Sequence, residues 1–420
     1  MLLDFVFKNF LSYENETYFS MEAGERLVKY SDTHTTDVNN RRILKSSIAF
    51  GANASGKSNL IKALMTLQTL VLQATTSSVQ EMNYSPFILR KGRENKPTEF
   101  LITLLSNGTI YRYKIIYDQK KVIHETLEYE KRGKFVVHFA RKAEEWKTPK
   151  ELESFVKNTR DNQLFLFVAQ DKNDKRSGEV FQWFAQDLII FQNSIPNNLF
   201  TLLEDKVNKN IFLNFMRAAD IHITDIDIRE QENPVPSELR HLLSQFSGNE
   251  VPSSVKSKQL YLMHASHTDN NQISGNVPIA LNLESQGTQK IVAIALLILH
   301  RKTQSKVIVI DEFDDSFHLE LSKAILDVIH TKGNINQFIL TTHELQLMDQ
   351  HLRKDQIYFA QKNHLGSSEL FSLFDFDDER LKRSDVKYMT RYLKGQFGAG
   401  PVILLDGLIQ ALSDSVEEAG

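Results

Sequence analysis

The sequence predicts an α/β fold that combines a parallel-sheet core with an antiparallel meander. From Leu283 onward, short β-branched and apolar runs alternate with helical patterns, which is typical of parallel strands joined by crossover helices. Residues 98–117 instead contain two alternating apolar runs around Asn107-Gly108, a pair that favours a type I′ hairpin turn. Of the 420 residues, 41% are hydrophobic and 25% are charged, as in ordinary folded proteins.

Residues 1–118 are expected to form the N-terminal part of one lobe. Leu3, Phe5 and Phe7 alternate in a first strand, and a second strand is expected near Phe19. The hairpin around residues 107–108 then adds antiparallel strands to the same lobe.

A glycine-rich loop separates a predicted buried strand, residues 47–50, from a helix that is expected to run to about Gln73. The loop fits G-x-x-x-x-G-K-[ST], in which glycine backbone and a helix N-terminus surround a phosphate. Its expected nucleotide-binding residues are Gly51, Ala52, Asn53, Ala54, Ser55, Gly56, Lys57, Ser58 and Asn59. In this pattern Lys57 reaches the β- and γ-phosphates, and the Ser58 hydroxyl binds Mg²⁺.

Residues 119–276 are predicted to be a mostly helical insertion of mixed α/β class. Its first residues continue the meander, and no heptad repeat is sustained long enough for a coiled-coil arm. Asp225 and Asp227 form a D-x-D pair that could bind Mg²⁺, and Asp375 and Asp377 form another. We interpret both pairs as solvated acids, because their order and spacing do not suit a fused nuclease domain.

Residues 277–420 carry the remaining candidate catalytic residues. An apolar strand ends in Asp311 and Glu312, at the sheet edge where open α/β folds bind ligands. We expect Asp311 to hold Mg²⁺ through water, and Glu312 to act as general base toward the attacking water. Another strand ends in His343, whose neutral imidazole could hydrogen-bond a γ-phosphate.

A second candidate anion site precedes a long apolar helix, residues 286–301. Ser285, Gly287 and Thr288 form a small polar turn whose free N–H groups suit an anion. The same residues also fit a simple N-cap, with Ser285 or Thr288 as the cap. The pattern alone leaves both interpretations open.

Composition excludes several classes of protein. Cysteine is absent, so disulfides, thiolate zinc sites and a cysteine nucleophile are excluded. A net charge of −3 gives no global basic field that would attract nucleic acid, and the sequence leaves open whether a local basic patch exists. The first residues lack the apolar core of a signal peptide, and the longest apolar run, residues 291–299, is too short to span a bilayer. A cytoplasmic protein without membrane association is expected.

Taken in order, the phosphate loop, serine–glycine turn, double acid and terminal histidine resemble the ABC-type ATPase head of SMC-like and OLD-type (lysogenisation-interfering) ATPases. A narrower likeness is to the bacterial abortive-infection, AAA-like ATPases of anti-phage defence. The matching stretches are residues 51–64, 284–288, 341–344 and 392–399. The resemblance covers residues 1–117 and 277–400 well and is loose between them. His318 stands where many ABC heads have aspartate, as in the OLD type.

The resemblance implies hydrolysis of ATP with Mg²⁺ in a head-to-tail homodimer or a higher homo-oligomer. Ser285, Gly287 and Thr288 would contact the γ-phosphate bound by the other protomer. The partner implied is a separately encoded toxic effector, such as a Toprim-like or other nuclease, in a toxin–antitoxin-like system triggered by a phage protein. The glutamine-loop residue is left open between Gln73 and Gln80.

An alternative function is that of an SMC- or repair-type ATPase that binds DNA. The absence of long heptads and of zinc-hook cysteines argues against it, as does the slightly acidic charge. Tight duplex binding with a steep salt dependence in a gel shift would favour this alternative.

Overall fold

A computed structural model describes residues 1–143, 145–191, 195, 197–238, 240, 244, 252–300, 305–376 and 387–398. The described strands are β1 (Leu2–Lys8), β2 (Thr17–Ser20), β3 (Thr35–Val38), β4 (Arg41–Leu44), β5 (Ser46–Phe50), β6 (Thr98–Ser106), β7 (Thr109–Tyr117), β8 (Val122–Lys131), β9 (Lys134–Lys142), β10 (Glu145–Lys147), β11 (Leu188–Phe191), β12 (Asp225–Pro234), β13 (Ser254–His267), β14 (Ile273–Ala280), β15 (Val307–Ile310), β16 (Gln337–Thr342), β17 (Ile357–Lys362) and β18 (Ser368–Ser372).

The described α-helices are α1 (Ser31–His34), α2 (Lys57–Leu72), α3 (Glu153–Val156), α4 (Phe165–Asp171), α5 (Lys175–Gln182), α6 (Lys206–Ala218), α7 (Gln286–Leu299), α8 (Leu319–Ile329) and α9 (Tyr388–Leu393). Among the described residues, no helix combines the length and the apolar character that a membrane span requires.

The central sheet has the strand order β11-β15-β16-β5-β17-β18. Its neighbouring strands run parallel except for the antiparallel pair β17 and β18. Every residue of β5, β15 and β16 is buried, which explains why apolar residues are consecutive in these strands and do not alternate with exposed ones. The parallel core expected from the sequence is confirmed.

The central sheet separates two hydrophobic cores. Val307 and Val309 face one core, which also contains α2 and the antiparallel sheet, whereas Ile308 and Ile310 face the other core, with α7 and α8. Successive side chains of a strand point to opposite faces, so one apolar strand contributes to both cores.

The antiparallel sheet has the order β10-β9-β8-β7-β6-β1-β2. Its β6–β7 hairpin turns at Asn107 and Gly108, whose φ angles are 47° and 79°. Both turn residues therefore have the positive φ that a type I′ turn requires, and the predicted hairpin is confirmed. Helix α2 packs against this sheet through Leu60, Leu64 and Leu67.

Buried polar contacts join the two sheets at the edge where the parallel strands begin. The Gln337 side chain accepts a hydrogen bond from the Leu2 N–H at 2.7 Å and donates to the Leu2 carbonyl at 3.0 Å. Nearby, the Lys306 ammonium lies 2.6 Å from the Asp187 carboxylate in a buried ion pair. Removing one partner of such a pair costs about 3–5 kcal/mol, because the other charge is left buried without a partner.

The middle of the chain differs from the mostly helical insertion expected for residues 119–276. Strands β8 and β9 continue the antiparallel meander, as expected for the first residues of this segment. Beyond them, β10 joins the same sheet, β11 is an edge strand of the central sheet, and β12, β13 and β14 form a separate sheet. Most side chains of β12 and β14 are exposed. Because a strand exposed on both faces has no alternation of apolar and polar residues, sequence periodicity could not reveal it.

A pair of stacked histidines holds α1 against the end of α8. The rings of His34 and His330 lie 3.7 Å apart between centroids, at an interplanar angle of 17°. The His330 Nε2 atom is 2.8 Å from the Ser46 hydroxyl, at the start of β5. Burial lowers the pKa of His34 to about 4 and the pKa of His330 well below its ordinary value.

We therefore expect folding stability to fall in mild acid. The unfolded chain binds protons at these histidines below their ordinary pKa of 6.5, whereas the folded chain resists protonation of His34 down to about 4. The stability contributed by the pair is greatest above pH 6.5 and is lost as the pH falls toward 4. The measurement is the free energy of unfolding in denaturant at several pH values.

The variant His34→Phe keeps an aromatic ring on His330 and removes one titrating group. Its unfolding free energy should depend less on pH between 4 and 6.5 than that of the unaltered protein. His364→Phe, at an exposed histidine, is the matched control and should leave the pH dependence unchanged. Equal slopes for the His34 variant and the unaltered protein would contradict this account of the pair.

Candidate functional site

The candidate site lies at the carboxyl ends of three adjacent parallel strands. Strand β16 pairs with β15 on one side and with β5 on the other. The glycine loop follows β5 directly, Asp311 follows β15, and His343 follows β16. Parallel neighbours end at the same edge of a sheet, so residues far apart in the sequence meet there.

The conformation of the glycine loop requires glycine, because some of its residues have positive φ angles and some are packed too closely for a side chain. Gly56 has φ 113° and Ala54 has φ 60°. A Cβ atom at Gly56 would collide with the Ser368 hydroxyl, and one at Gly51 would collide with the Ala360 carbonyl. The Ser55 hydroxyl is buried and has no hydrogen-bond partner in the described residues. A phosphate oxygen in the loop would give that hydroxyl a partner, so the loop suits the predicted anion.

Lys57 begins α2 and folds back over the loop. Its ammonium donates to the carbonyl oxygens of Gly51 at 2.7 Å and Ala52 at 3.0 Å. Burial lowers the pKa of Lys57 to about 8, although the nearby carboxylates of Asp311 and Glu312 favour its charged form. The lysine is therefore a buried cation that an incoming phosphate would stabilise.

The double acid is oriented by Thr341, which the sequence analysis did not identify. The Thr341 hydroxyl donates to Asp311 Oδ1 and accepts a hydrogen bond from the Glu312 N–H at 2.8 Å. Glu312 itself has a left-handed backbone, with φ 48°. One buried hydroxyl thus fixes both the first carboxylate and the backbone of the second.

His343 joins the loop lysine to the double acid. Its Nδ1 atom lies 3.5 Å from the Lys57 ammonium, and its Nε2 atom lies 3.6 Å from Glu312 Oε1. The structure therefore brings together Lys57, Glu312 and His343, which the sequence predicted as one site.

Ser285, Gly287 and Thr288 lie elsewhere on the same chain. Ser285 is the N-cap of α7: its hydroxyl accepts from the Thr288 N–H at 3.1 Å and lies 2.9 Å from the Thr288 hydroxyl. A Cβ at Gly287 would lie 2.9 Å from the Ser316 carbonyl, so the turn packs on the loop after the double acid. Among the described residues, no hydrogen bond or ion pair joins this turn to residues 51–59.

A further side chain that the sequence analysis missed lies between these parts. Lys290, in α7, donates to the carbonyl oxygens of Glu312 and Asp315, the latter at 3.3 Å. The signal in the sequence was a single cation in an otherwise apolar run, residues 291–299 being uncharged. The ammonium of a lysine in a buried helix needs a hydrogen-bond or ionic partner, so this lysine could have been singled out from the sequence.

Contacts across the two sheets also support the phosphate loop. Ser12, in the β1–β2 turn, accepts hydrogen bonds from the Asn59 amide and the Ser368 hydroxyl, both at 2.7 Å. Asn59 belongs to the predicted loop, whereas Ser12 and Ser368 are far from it in the sequence and no local pattern marks them. The antiparallel sheet is thereby attached to the loop.

The remaining candidates make other contacts. Asp225 pairs with Lys209 at 2.7 Å, and Asp227 pairs with Arg229 at 2.8 Å. His318 is the N-cap of α8, Gln73 is the C-cap of α2, and Gln80 accepts from the Thr76 backbone N–H. Of the stretch 392–399, Tyr392 and Phe397 stack on Phe359, whereas Ala399 lies outside the described residues, as does Asp377.

The oxygen ligands at the strand ends suit Mg²⁺. This ion is usually held by one or two protein oxygens together with phosphate oxygens and water. Ser58, in the first turn of α2, offers a hydroxyl, and Asp311 offers the carboxylate oxygen that Thr341 does not bind.

The phosphate loop, double acid and strand-end histidine lie together on this pair of sheets, as expected for the head of an ABC-type ATPase. A family model described as "AAA domain, putative AbiEii toxin, Type IV TA system" matches residues 50–349. That match covers more than half of the chain, and the chain belongs to this family. No curated protein matches it.

Solved structures similar to this chain include SMC head domains. An SMC head bound to the C-winged helix domain of ScpA is 14% identical with a TM-score of 0.41, covering 91% of this chain and 99% of that chain. The SMC head domain from Thermotoga maritima is 14% identical with a TM-score of 0.40, covering 88% and 98%. A head with an extended coiled coil, bound to the C-terminal domain of ScpA derived from Pyrococcus furiosus, is 13% identical with a TM-score of 0.38, covering 88% and 96%.

The lowered pKa of Lys57 predicts that nucleotide binding depends on pH. Phosphate oxygens favour the charged ammonium, so binding above pH 8 must take up a proton, and the affinity for MgATP should fall as the pH rises through about 8. Calorimetric titrations in buffers of different ionisation enthalpy measure this uptake. At pH 7 the lysine is charged in both states, and no uptake from it is expected. An affinity that stays constant between pH 7 and well above 8 would contradict the assignment.

Proposed function

We propose that this chain binds and hydrolyses ATP with Mg²⁺ in a head-to-tail dimer and so controls a separately encoded toxic effector in anti-phage defence. The observation that carries the proposal is the cluster at the strand ends, where the His343 imidazole lies between the Lys57 ammonium and the Glu312 carboxylate. A cation, a base and a hydrogen-bonding imidazole around an anion-binding loop suit phosphoryl transfer to water.

Each residue has a role that its contacts support. Lys57 and the loop N–H groups bind the β- and γ-phosphates, and Ser58 and Asp311 hold Mg²⁺. The bound ion neutralises charge on the phosphate oxygens. Glu312, whose backbone Thr341 fixes, accepts a proton from the attacking water. His343 hydrogen-bonds the γ-phosphate and moves when that group leaves.

The proposed dimer is supported by the position of the Ser285 turn, which a single chain does not bring to its own loop. Ser285 is exposed and belongs to a turn that makes no hydrogen bond to residues 51–59 in the described part of the chain. In a twofold dimer the same surface is used by both copies, so each turn can approach the loop of the other copy. Ser285, Gly287 and Thr288 would then complete two equivalent sites.

The effector part of the proposal draws on the family description, which names a putative AbiEii toxin and a type IV toxin–antitoxin system. A toxic partner, such as a Toprim-like or other nuclease, would be held inactive until a phage protein changes the nucleotide state of the dimer. Such a role places the protein in the cytoplasm, where phage proteins are made. Co-purification with mass spectrometry tests this part, and a toxin encoded next to this chain is the expected partner.

Substitutions at the loop and at the double acid should separate binding from hydrolysis. Lys57→Ala should abolish ATP binding, because the phosphates lose their buried cation. Glu312→Gln should bind ATP and hydrolyse it about 10²- to 10⁴-fold more slowly, because the general base is removed. Fluorescent-nucleotide titration and phosphate release measure the two steps.

Matched controls are available on nearby helix surfaces. Lys62→Ala and Glu320→Gln make the same chemical changes at exposed positions of α2 and α8. Both should behave like the unaltered protein. Full turnover in the Glu312 variant would remove that residue from its role, and ATP binding by the Lys57 variant would contradict the loop assignment.

Mixed variants should show whether a site is built from two chains. Ser285→Arg should bind ATP but not hydrolyse it, because a large cation blocks the approach of the turn to the other copy. Mixed with Lys57→Ala, it should regain part of the activity, since one composite site then has an intact loop and an intact turn. Steady-state phosphate release across mixing ratios measures the rescue, and its absence counts against the dimer.

A further inference from the structure

Lys290 is a buried lysine that the proposed chemistry does not use directly. It lies one turn inside α7, and only 9% of its surface is exposed. Its ammonium donates to two main-chain carbonyls, those of Glu312 and Asp315. One lysine of the helix that begins at Ser285 therefore holds both ends of a short loop that begins with the general base.

That loop has a backbone that needs such support. Glu312 has φ 48° and Ser316 has φ 71°, and both are residues with a side chain in the left-handed region. Such conformations are strained and persist only where the surroundings fix them. Within the loop, the Asp315 N–H bonds the Glu312 carbonyl at 3.0 Å, so Lys290 shares an acceptor with the loop's own turn.

The environment of Lys290 is acidic and open on one side. Asp311, Glu312, Asp314 and Asp315 favour its charged form, and burial lowers the pKa of its ammonium. Lys290 and Asp315 also line a cavity of about 500 Å³. The loop therefore borders open space at Asp315, on the side where Lys290 binds its carbonyl.

We propose that Lys290 is a positioning residue that couples the two nucleotide sites of the dimer through a single chain. This inference rests on the proposed function. The Glu312 end of the loop acts on the nucleotide of its own chain, whereas the Ser285 turn acts on the nucleotide of the partner. Lys290 makes the loop and the turn move together, so closure at one site favours closure at the other.

The test compares Lys290→Met with Lys45→Met. Methionine keeps an unbranched apolar stem and removes the ammonium. Lys45 is the matched control, because it is also buried and its ammonium donates to one main-chain carbonyl, that of Thr331, at 2.7 Å. Two readouts are measured: the ATP dependence of turnover, and hydrogen exchange of the amides of residues 312–317 without nucleotide.

For Lys290→Met we expect nucleotide affinity to be unchanged and kcat to fall by about 10²-fold, the usual scale for a misplaced catalytic group. The Hill coefficient should fall from above 1, with a limit of about 2 for two sites, to about 1. Exchange of the 312–317 amides should become faster. Lys45→Met should keep the kcat, the Hill coefficient and the exchange rates of the unaltered protein.

An unchanged Hill coefficient and unchanged exchange in Lys290→Met would overturn the inference, as would the same losses in Lys45→Met. If Lys290→Met does not fold, Lys290→Gln is measured by the same two readouts, and the same results would support or overturn the inference. If the unaltered protein does not hydrolyse ATP, the proposed function fails. The positioning role is then tested by hydrogen exchange alone, and equal exchange of the 312–317 amides in Lys290→Met and in the unaltered protein would refute it.

Discussion

The site depends on the parallel pairing of β5, β16 and β15, which brings three strand ends to one edge. The pairing is fixed by burial, since every residue of these three strands is buried. A shift of one strand by one residue would move its side chains to the opposite core and move the strand end away from its neighbours. The packing of the two cores therefore sets the spacing of the candidate catalytic groups.

Around that edge, buried cations balance a concentration of carboxylates. Lys57 lies over the glycine loop, and Lys290 holds the loop after Glu312 from the other side. Both ammonium groups bind main-chain carbonyl oxygens, and burial lowers the pKa of each. Lys57 is thus ready to respond to added phosphate charge, and the acids beside each lysine favour its charged form. The electrostatic environment of the two ammonium groups thus comes mainly from main-chain carbonyl oxygens and carboxylates of the same chain.

Local patterns in the sequence were sufficient for several parts of the molecule. The Asn107-Gly108 hairpin, helix α2 and the apolar strands of the central sheet were predicted because each has a periodicity or a turn signal within a few residues. The glycine loop and the double acid were identified in the same way, and the structure brings Lys57, Glu312 and His343 into contact. Their catalytic roles remain part of the proposal.

The sequence could not reveal contacts made between distant segments. Thr341 and Ser12 are ordinary polar residues until the fold places them beside the double acid and the glycine loop. Strands β12 and β14 were missed because their exposed side chains show no alternation, which led to a mostly helical prediction for the middle of the chain. Exposed strands are defined by their pairing with other strands, and pairing is a property of the fold.

The central claim is that ATP is bound between two copies of this chain. The mass of the Glu312→Gln protein in sedimentation, with and without MgATP, tests it most directly. The account predicts a species of twice the 48.4 kDa chain mass that forms with MgATP and is absent without it, and that Lys57→Ala does not form. A mass that stays the same on addition of MgATP, while the nucleotide is shown to be bound, would contradict the account.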